Sequence, residues 1–579
     1  MKKILYFLTI VPTLIFAQIL TSFEGIQFNG EKPPDPVIAV GQNHVMLAVN
    51  SEYKIYQKDG TFISGQTFSD LFNTITPTPT GYIFDPKLVY DHYSDRFILL
   101  ALSKTPNNRF LLAVSQTNDP TGNWYKYDFE NESLYNVDYP GLGYNKTSIV
   151  LTSHSLDHGD GSSYLPEITI LDKQEVYNGN ISYRKNFVAF PSNPAKIKPA
   201  RVIGSSSSNN IYLVDTKTAS EIRIWSVTNP LGGNNASLNN VKTITLGSYI
   251  YPSNAVQKGT TGTGLIDNKL VSSSISDIVI MDDIIYGAYT VRNSTDDGNM
   301  IVYFSVDINN NFNLLINETI ESANKYYYYP VIHPDRDGNI TLVFNKSSLT
   351  EYVGIVYTQH KKNNSTHSPI QSLKSGSASY ELIHNTRNRW GDYSGIAMDP
   401  ENNYRIWIYG EWAKTSNQWS TWVGEINTAE IKDFYFTNKY ENTNLGGEII
   451  VNNVQVSSGG STPLETGTHY TAKTNNERFP NWNNTGITYK QNNWNRNREK
   501  HLIEYNFEAN GNKSHHDAQF NKLLYSKIAI TTEGSFQPND GTLSFQDPWY
   551  VKSDGSQSAP QTDIMNLMEN MEQPKEVFS

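Results

Sequence analysis

Four carboxylates carry the sharpest chemistry this sequence could hold. Asp85, Asp138 and Asp392 each stand at the head of a short apolar run. Glu411 follows the next run of the last such unit. Glycoside hydrolysis needs two carboxyl groups facing each other across a cleft, roughly 5 to 9.5 Å apart. Convergence of the three Asp-headed runs on one axis would bring that chemistry within reach. A plainer role competes with it. Asp at the start of a strand caps backbone N–H groups, and a cap would recur at equivalent positions in the same way.

Three aromatic residues accompany the acids: Tyr139, Trp390 and Tyr393. Facing an open pocket, they would suit a sugar ring. The motif Arg389-Trp390-Gly391-Asp392-Tyr393-Ser394-Gly395 admits a second account. Gly391 would allow a close approach, Asp392 would cap backbone donors, and Trp390 would fill a gap between repeat units. Its aromatic and Gly content favours that packing role.

The run Asp335-Arg336-Asp337-Gly338-Asn339 alternates oxygen ligands like a calcium loop, with Asp335, Asp337 and Asn339 as candidates. It lacks the downstream Glu of a complete loop and falls where a hairpin must turn. A tight Asp-Gly turn accounts for it without metal, so no cofactor is expected. The 12 His residues form no ligand set at helical spacing; His154 and His158 around Asp157, and His515-His516-Asp517, read as loops. No Gly-x-Ser-x-Gly elbow, no phosphate loop with Lys and no Ser-x-Asp-x-Gly-x-Thr-Trp box occurs. With 0 Cys, thiol catalysis, disulfides and thiolate-held zinc are excluded.

The elements that must position these groups are repeated. Asp85-Pro86-Lys87-Leu88-Val89-Tyr90-Asp91 leads through a turn into Arg96-Phe97-Ile98-Leu99-Leu100. Asp138-Tyr139-Pro140-Gly141-Leu142-Gly143, Tyr329-Pro330-Val331-Ile332 and Asp392-Tyr393-Ser394-Gly395-Ile396 lead into similar runs. Weaker copies begin at Asp35, Pro199 and Asp277. A unit of roughly 50 to 75 residues built of short strands marks a β-propeller. In the second unit four strands separate at turn residues: 88–90, 97–102, 110–114 and 124–129. Seven starts predict seven blades; six is the competing count, because the Asp277 unit lacks the Pro. The Gly- and Asn-rich stretch 231–240 and the Gly/Thr stretch 259–264 read as surface loops. The last unit offers three clear strands, so an outside strand must cover its edge. Residues 22–28 are the expected donor and 433–436 the alternative.

The fold class is therefore all-β: a six- or seven-bladed β-propeller followed by a smaller β-sandwich-like module. Residues 1–17 read as a signal peptide, with Lys2 and Lys3 before an apolar run too short to span a bilayer. Residues 18–435 hold the propeller and 440–550 the C-terminal module. A tail, 551–579, includes a short helix over 563–571. No later segment is apolar enough to cross a membrane as a helix. The net charge is −11 with 18% charged residues. The one basic patch, 490–500, reads as a solvated turn, so nucleic acid is not an expected partner.

The motifs at 85–91, 138–143 and 389–394, with Asp547-Pro548-Trp549-Tyr550, resemble those of a family of large exported bacterial β-propeller proteins of unassigned biochemical role. The resemblance covers residues 30–550 and implies export and a propeller. It supplies no catalytic residues. The sequence thus predicts an exported protein binding a glycan or a protein at or outside the cell surface. The alternatives are a glycan-cleaving hydrolase using axial carboxylates and a scaffold presenting the C-terminal module.

Overall fold

The computed structural model describes residues 18–429, except 106–107, 131–135, 157–163, 189–195, 260–263, 270–272, 295–297 and 385, and then the strands of a second unit between 431 and 531. The leader 1–17, the 563–571 helix, residues 547–550 and the 515–517 cluster lie outside the described residues, as does His158.

The first unit is a ring of seven four-stranded antiparallel blades. Their inner strands are Val37–Val40, Ile83–Asp91, Asn136–Tyr144, Lys198–Ile203, Ile278–Met281, Tyr326–Pro334 and Gly395–Met398. All seven starts expected from the repeated phrase are inner-strand starts, including the Pro-less unit at Asp277. The inner strands of blades 3, 4 and 5 also pair in parallel, Tyr144 with Arg201 and Ala200–Ile203 with Ile278–Met281.

Burial grades outward from the axis. Every residue of Ile83–Asp91 and of Arg109–Ser115 is buried, because both faces meet neighbouring blades. The outer strand Ser237–Thr245 is largely exposed. Blade 7 supplies only three strands of its own. Gln18–Gln27 is the fourth, running antiparallel to Gln418–Asn427 from Gln18↔Asn427 to Gln27↔Ser420. The N-terminal donor therefore closes the ring. The alternative donor belongs to Ile431–Tyr440, which pairs with Gly460–Glu465 and Ser526–Thr531 in the second unit.

The repeated X-Pro phrase has a specific backbone meaning. In blades 2, 3 and 6 the innermost hairpin slips register between Phe84 and Lys87, Asp138 and Gly141, and Tyr328 and Val331. Each slip contains the X-Pro pair. Asp85, Tyr139 and Tyr329 have φ of 51°, 49° and 53°, and Asp35, before Pro36, has 52°. Pro has no N–H to give the ladder, so it sits at a bulge. A left-handed non-Gly residue costs on the order of 1 kcal/mol or more, so the bulge must be held by its surroundings.

The inner hairpin turns repeat as well. Asp335 Oδ1 accepts the N–H groups of Asp337 and Asn339, each at 2.9 Å, and Oδ2 accepts Asn339 Nδ2 at 2.9 Å. Asp91, Asn145 and Asp399 accept backbone N–H groups at the same turn of blades 2, 3 and 7. The calcium-like loop is thus one copy of a capped turn whose first carboxylate is already engaged. Among the described residues no group of three His, Asp or Glu is placed to hold a metal ion.

One stretch expected as a loop, 231–240, is more ordered at its end, and of the other, 259–264, residues 260–263 lie outside the described residues. Ser237 to Asn240 open the outer strand of blade 4. The connection after it is partly core: Ala255, Gln257, Ile266 and Asn268 are fully buried. Gln257 exchanges hydrogen bonds with the backbone of Tyr380, Nε2 to O at 2.6 Å and N–H to Oε1 at 3.1 Å. Asn388 Nδ2 donates to Gly264 O at 3.0 Å, and Tyr329 Oη donates to Asp267 O at 2.7 Å. This connection and the one before blade 7 thus interlock over the start of the blade 6 inner strand.

The chain divides after Thr428 rather than at 435. The second unit has two antiparallel sheets, one around Ile431–Tyr440 and one of five strands from Glu448–Val451 to His501–Ala509. Among the described residues no helix is long and apolar enough to cross a membrane.

Candidate functional site

The heads of the inner strands bring the expected acids together with Asp35. A chain of hydrogen bonds links them across blades 7, 1, 2 and 3. Arg389 Nη2 donates to Asp392 Oδ2 at 3.1 Å, and the Asp392 N–H donates to Asp35 Oδ1 at 2.8 Å. Asn50 Nδ2 donates to Asp35 Oδ2 at 2.6 Å, while Asn50 Oδ1 accepts the Asp85 N–H at 2.7 Å. Asp85 Oδ2 accepts the Tyr139 N–H at 3.2 Å, and Asp138 Oδ1 lies 3.1 Å from the same nitrogen. The Asp85 and Asp138 carboxylates thus meet at one N–H.

Access separates these acids. Asp35 is fully buried, and Asp85 and Asp392 nearly so. Asp138 is half-buried. Burial, and then the neighbouring Asp392, push the Asp35 carboxyl up to about 7. Burial with Asp138, Asp35 and Asp392 holds Asp85 well above the usual carboxylate range. Burial also raises Asp138, with Lys104 pulling the other way.

Glu411 belongs to the same buried neighbourhood. Neither carboxyl oxygen has a hydrogen-bond partner, and burial raises its pKa well above the usual value. A Cβ on residue 391 would overlap Glu411 Oε1, which is why Gly stands there.

The three aromatic candidates are packed rather than presented. Trp390 is fully buried, its Nε1 donates to Asn345 Oδ1 at 3.3 Å, and Tyr380 meets it edge-on at 4.8 Å. Tyr139 and Tyr393 stack at 5.1 Å. Lys198 Nζ lies 3.7 Å from the Tyr139 centroid and Lys87 Nζ 3.1 Å from that of Tyr393. Each ring is thus covered by the other and by an ammonium group, and both hydroxyls are buried without a partner. These rings have no face left for a sugar, so the structure moves the binding expectation away from Trp390, Tyr393 and Tyr139.

An open aromatic surface lies just outside this cluster. Tyr82 is 48% exposed and stacks flat on Phe84 at 5.8 Å with an interplanar angle of 1°. Its hydroxyl donates to Glu31 Oε2 at 2.9 Å. Lys104, exposed, sits with Nζ 4.9 Å from the Phe84 centroid. Lys104 and Arg389 both act on the half-buried Asp138 carboxylate, and that carboxylate acts on Lys196. The rim around Asp138 is therefore cationic, with one aromatic face beside it. Sequence reasoning missed Tyr82 because a single Tyr after a Thr/Pro-rich stretch carries no repeat signal. The available signal was its position three residues before Asp85.

No protein-family model matches the chain, and no curated protein is similar to it. Among solved structures it is similar to a protein of unknown function from Dyadobacter fermentans, at 9% identity over 72% of this chain and 100% of that one, TM-score 0.37. An α-L-arabinofuranosidase from Fusarium graminearum is similar at 10% identity over 71% and 98%, TM-score 0.33. A WD40 domain from Neurospora crassa is similar at 9% over 70% and 95%, TM-score 0.33. The seven-bladed ring itself rests on the strand pairing.

Proposed function

We propose that this chain is an exported glycan-binding propeller that holds its ligand without cleaving it. The ligand lies on the face where the inner strands begin, with a sugar ring stacked on Tyr82. The observation that carries this reading is the exposed Tyr82 ring, stacked on the buried Phe84 beside Lys104, next to a cluster of largely buried acids that bond to neighbouring blades. Stacking on an aromatic face and adaptable hydrogen bonding suit sugars. The cationic rim of Lys104, Lys196 and Arg389 favours a glycan bearing carboxylates.

The test is retention of the purified chain on immobilised polysaccharides, with reducing ends assayed in parallel. Retention on a uronate-containing polysaccharide, lost on Tyr82→Ala and accompanied by no new reducing ends, is the expected result. Equal retention of Tyr82→Ala and wild type would place the ligand elsewhere.

A second reading is favoured by one observation: Asp85 and Asp138 meet at the Tyr139 N–H. Asp85, whose pKa burial and the neighbouring acids raise, would act as acid and the half-buried Asp138 as the second carboxylate of a hydrolase. Reducing ends that vanish in Asp138→Asn, with folding intact, would establish that reading over the first.

A further inference from the structure

Cations are rare in the buried strands of this ring, and three of them meet at the axis. Lys87 lies within Ile83–Asp91, and Lys198 and Arg201 within Lys198–Ile203; all three are buried. Together with Asp277 they line a cavity of about 30 Å³ between the inner strands. That volume holds a water molecule or two, or one monatomic ion, and excludes a sugar.

The cation donors around this cavity are only partly used. Arg201 crosses the axis, where Nη1 donates to Ile396 O in blade 7 at 3.3 Å and Nη2 pairs with Asp277. Its Nε–H is buried with no partner. Lys198 Nζ donates to Tyr139 O at 2.9 Å and Pro140 O at 2.6 Å, two of the three bonds an ammonium can make. Lys87 Nζ rests on the Tyr393 ring. The lining itself therefore holds three cations against one carboxylate, with the Asp35, Asp85 and Asp392 carboxyls behind it acting on Lys87. In a low-dielectric interior an uncompensated charge is costly, and water satisfies donors without balancing charge.

We propose that this axial cavity binds a halide ion, held by the Arg201 Nε–H and the ammonium groups of Lys87 and Lys198. One anion satisfies the unused donors and offsets the surplus positive charge. The repulsion is visible at Lys198, whereas Asp277 and the strand-head carboxyls act on Lys87 to raise it against burial. Burial lowers Lys87 to about 8, and burial together with Lys87 holds Lys198 well below its ordinary value. The ion joins blades 2 and 4 at their innermost strands, so its binding stabilises the closed ring. This proposal is independent of the glycan reading.

Two measurements on the full chain decide it. Crystals of the wild-type chain soaked in bromide should show an anomalous peak among Lys87, Lys198 and Arg201. Replacing gluconate by chloride at constant ionic strength should raise Tm in a saturable way, by about 1 to 3 °C. Lys87→Met should lose most of that chloride response. No bromide peak in the cavity, or the same Tm in chloride and gluconate, would mean a water-filled space and overturn the proposal. A Lys87→Met variant that folds and keeps the full response would overturn it too. If that variant fails to fold, the bromide map of the wild type decides alone.

Discussion

The heads of the inner strands and the rim beside them are neighbours built on opposite plans. At the strand heads the residues recur: Asp35, Asp85, Tyr139 and Tyr329 share one left-handed conformation, at a bulge in the last three. They are buried, and the two acids accept N–H groups from a neighbouring blade. At the rim, Tyr82 and Lys104 have no counterparts in the repeated phrase, and both are exposed. A residue that recurs from blade to blade serves what blades share, which is attachment to their neighbours. A residue that occurs once is free to serve a ligand. Recurrence of a carboxylate in a propeller is therefore weak grounds for catalysis, and a solitary exposed ring is the better pointer to recognition.

Variants can break this division, beginning with the largest effect. Trp390→Ala removes a fully buried indole and should lower stability by about 3 to 5 kcal/mol. Urea unfolding measures it. Near-normal stability with lost glycan retention would turn Trp390 back into a recognition residue.

Asp35→Ala strips the acceptor from the Asp392 N–H and from Asn50 Nδ2, and should cost about 2 to 3 kcal/mol. The effect has a predictable pH dependence. The Asp35 carboxyl rises from 3.8 to about 7 on folding. The folded state thus binds the proton more tightly, and stability from this group is full below about pH 4 and falls as pH rises towards 7. The gap between wild type and Asp35→Ala should shrink between about pH 4 and pH 7 and stay level above that. A constant gap would show that Asp35 is ionised throughout.

Tyr82→Ala tests the other side. Affinity for the retained polysaccharide should fall roughly tenfold, the worth of about 1.4 kcal/mol of stacking, while unfolding midpoints barely move. A large stability loss with unchanged retention would make the rim structural.

The smallest effect is the most discriminating for packing. Tyr139→Phe and Tyr393→Phe delete hydroxyls that are buried without partners. Stability should stay within about 0.5 kcal/mol of wild type or rise. A loss above that would reveal a ligand or water engaging those hydroxyls.

Much of the ring was legible because its signal is repeated. Asp85-Pro86 and Tyr329-Pro330 mark inner strands even though the flanking apolar residues differ. The closing strand was legible from an edge argument alone. The bulge conformation was not, since nothing in an X-Pro pair announces a positive φ at X. The buried residues flanking the 259–264 stretch were not legible, because their burial comes from single side chains such as Gln257 meeting backbone far away in sequence. The candidate site was legible in its acids and illegible in its access. Composition shows that Asp392 and Tyr393 are present, but only packing shows that Lys87 covers the ring. Lys87, Lys198 and Arg201 did carry a sequence signal, charge inside strands otherwise apolar, and it went unused.

The pairing of Gln18–Gln27 with Gln418–Asn427 also sets an order of events during synthesis. The first strand of the ring to be made is the last to find its place, because its partner follows about four hundred residues later. Until then it is an unpaired strand, and blade 7 has an open edge. Individual blades can collapse as they emerge, since their hairpins are local. The ring cannot close before nearly all of it has been delivered. A chain stalled short of Asn427 would thus carry two complementary sticky ends, one at its start and one still inside the machinery that makes it.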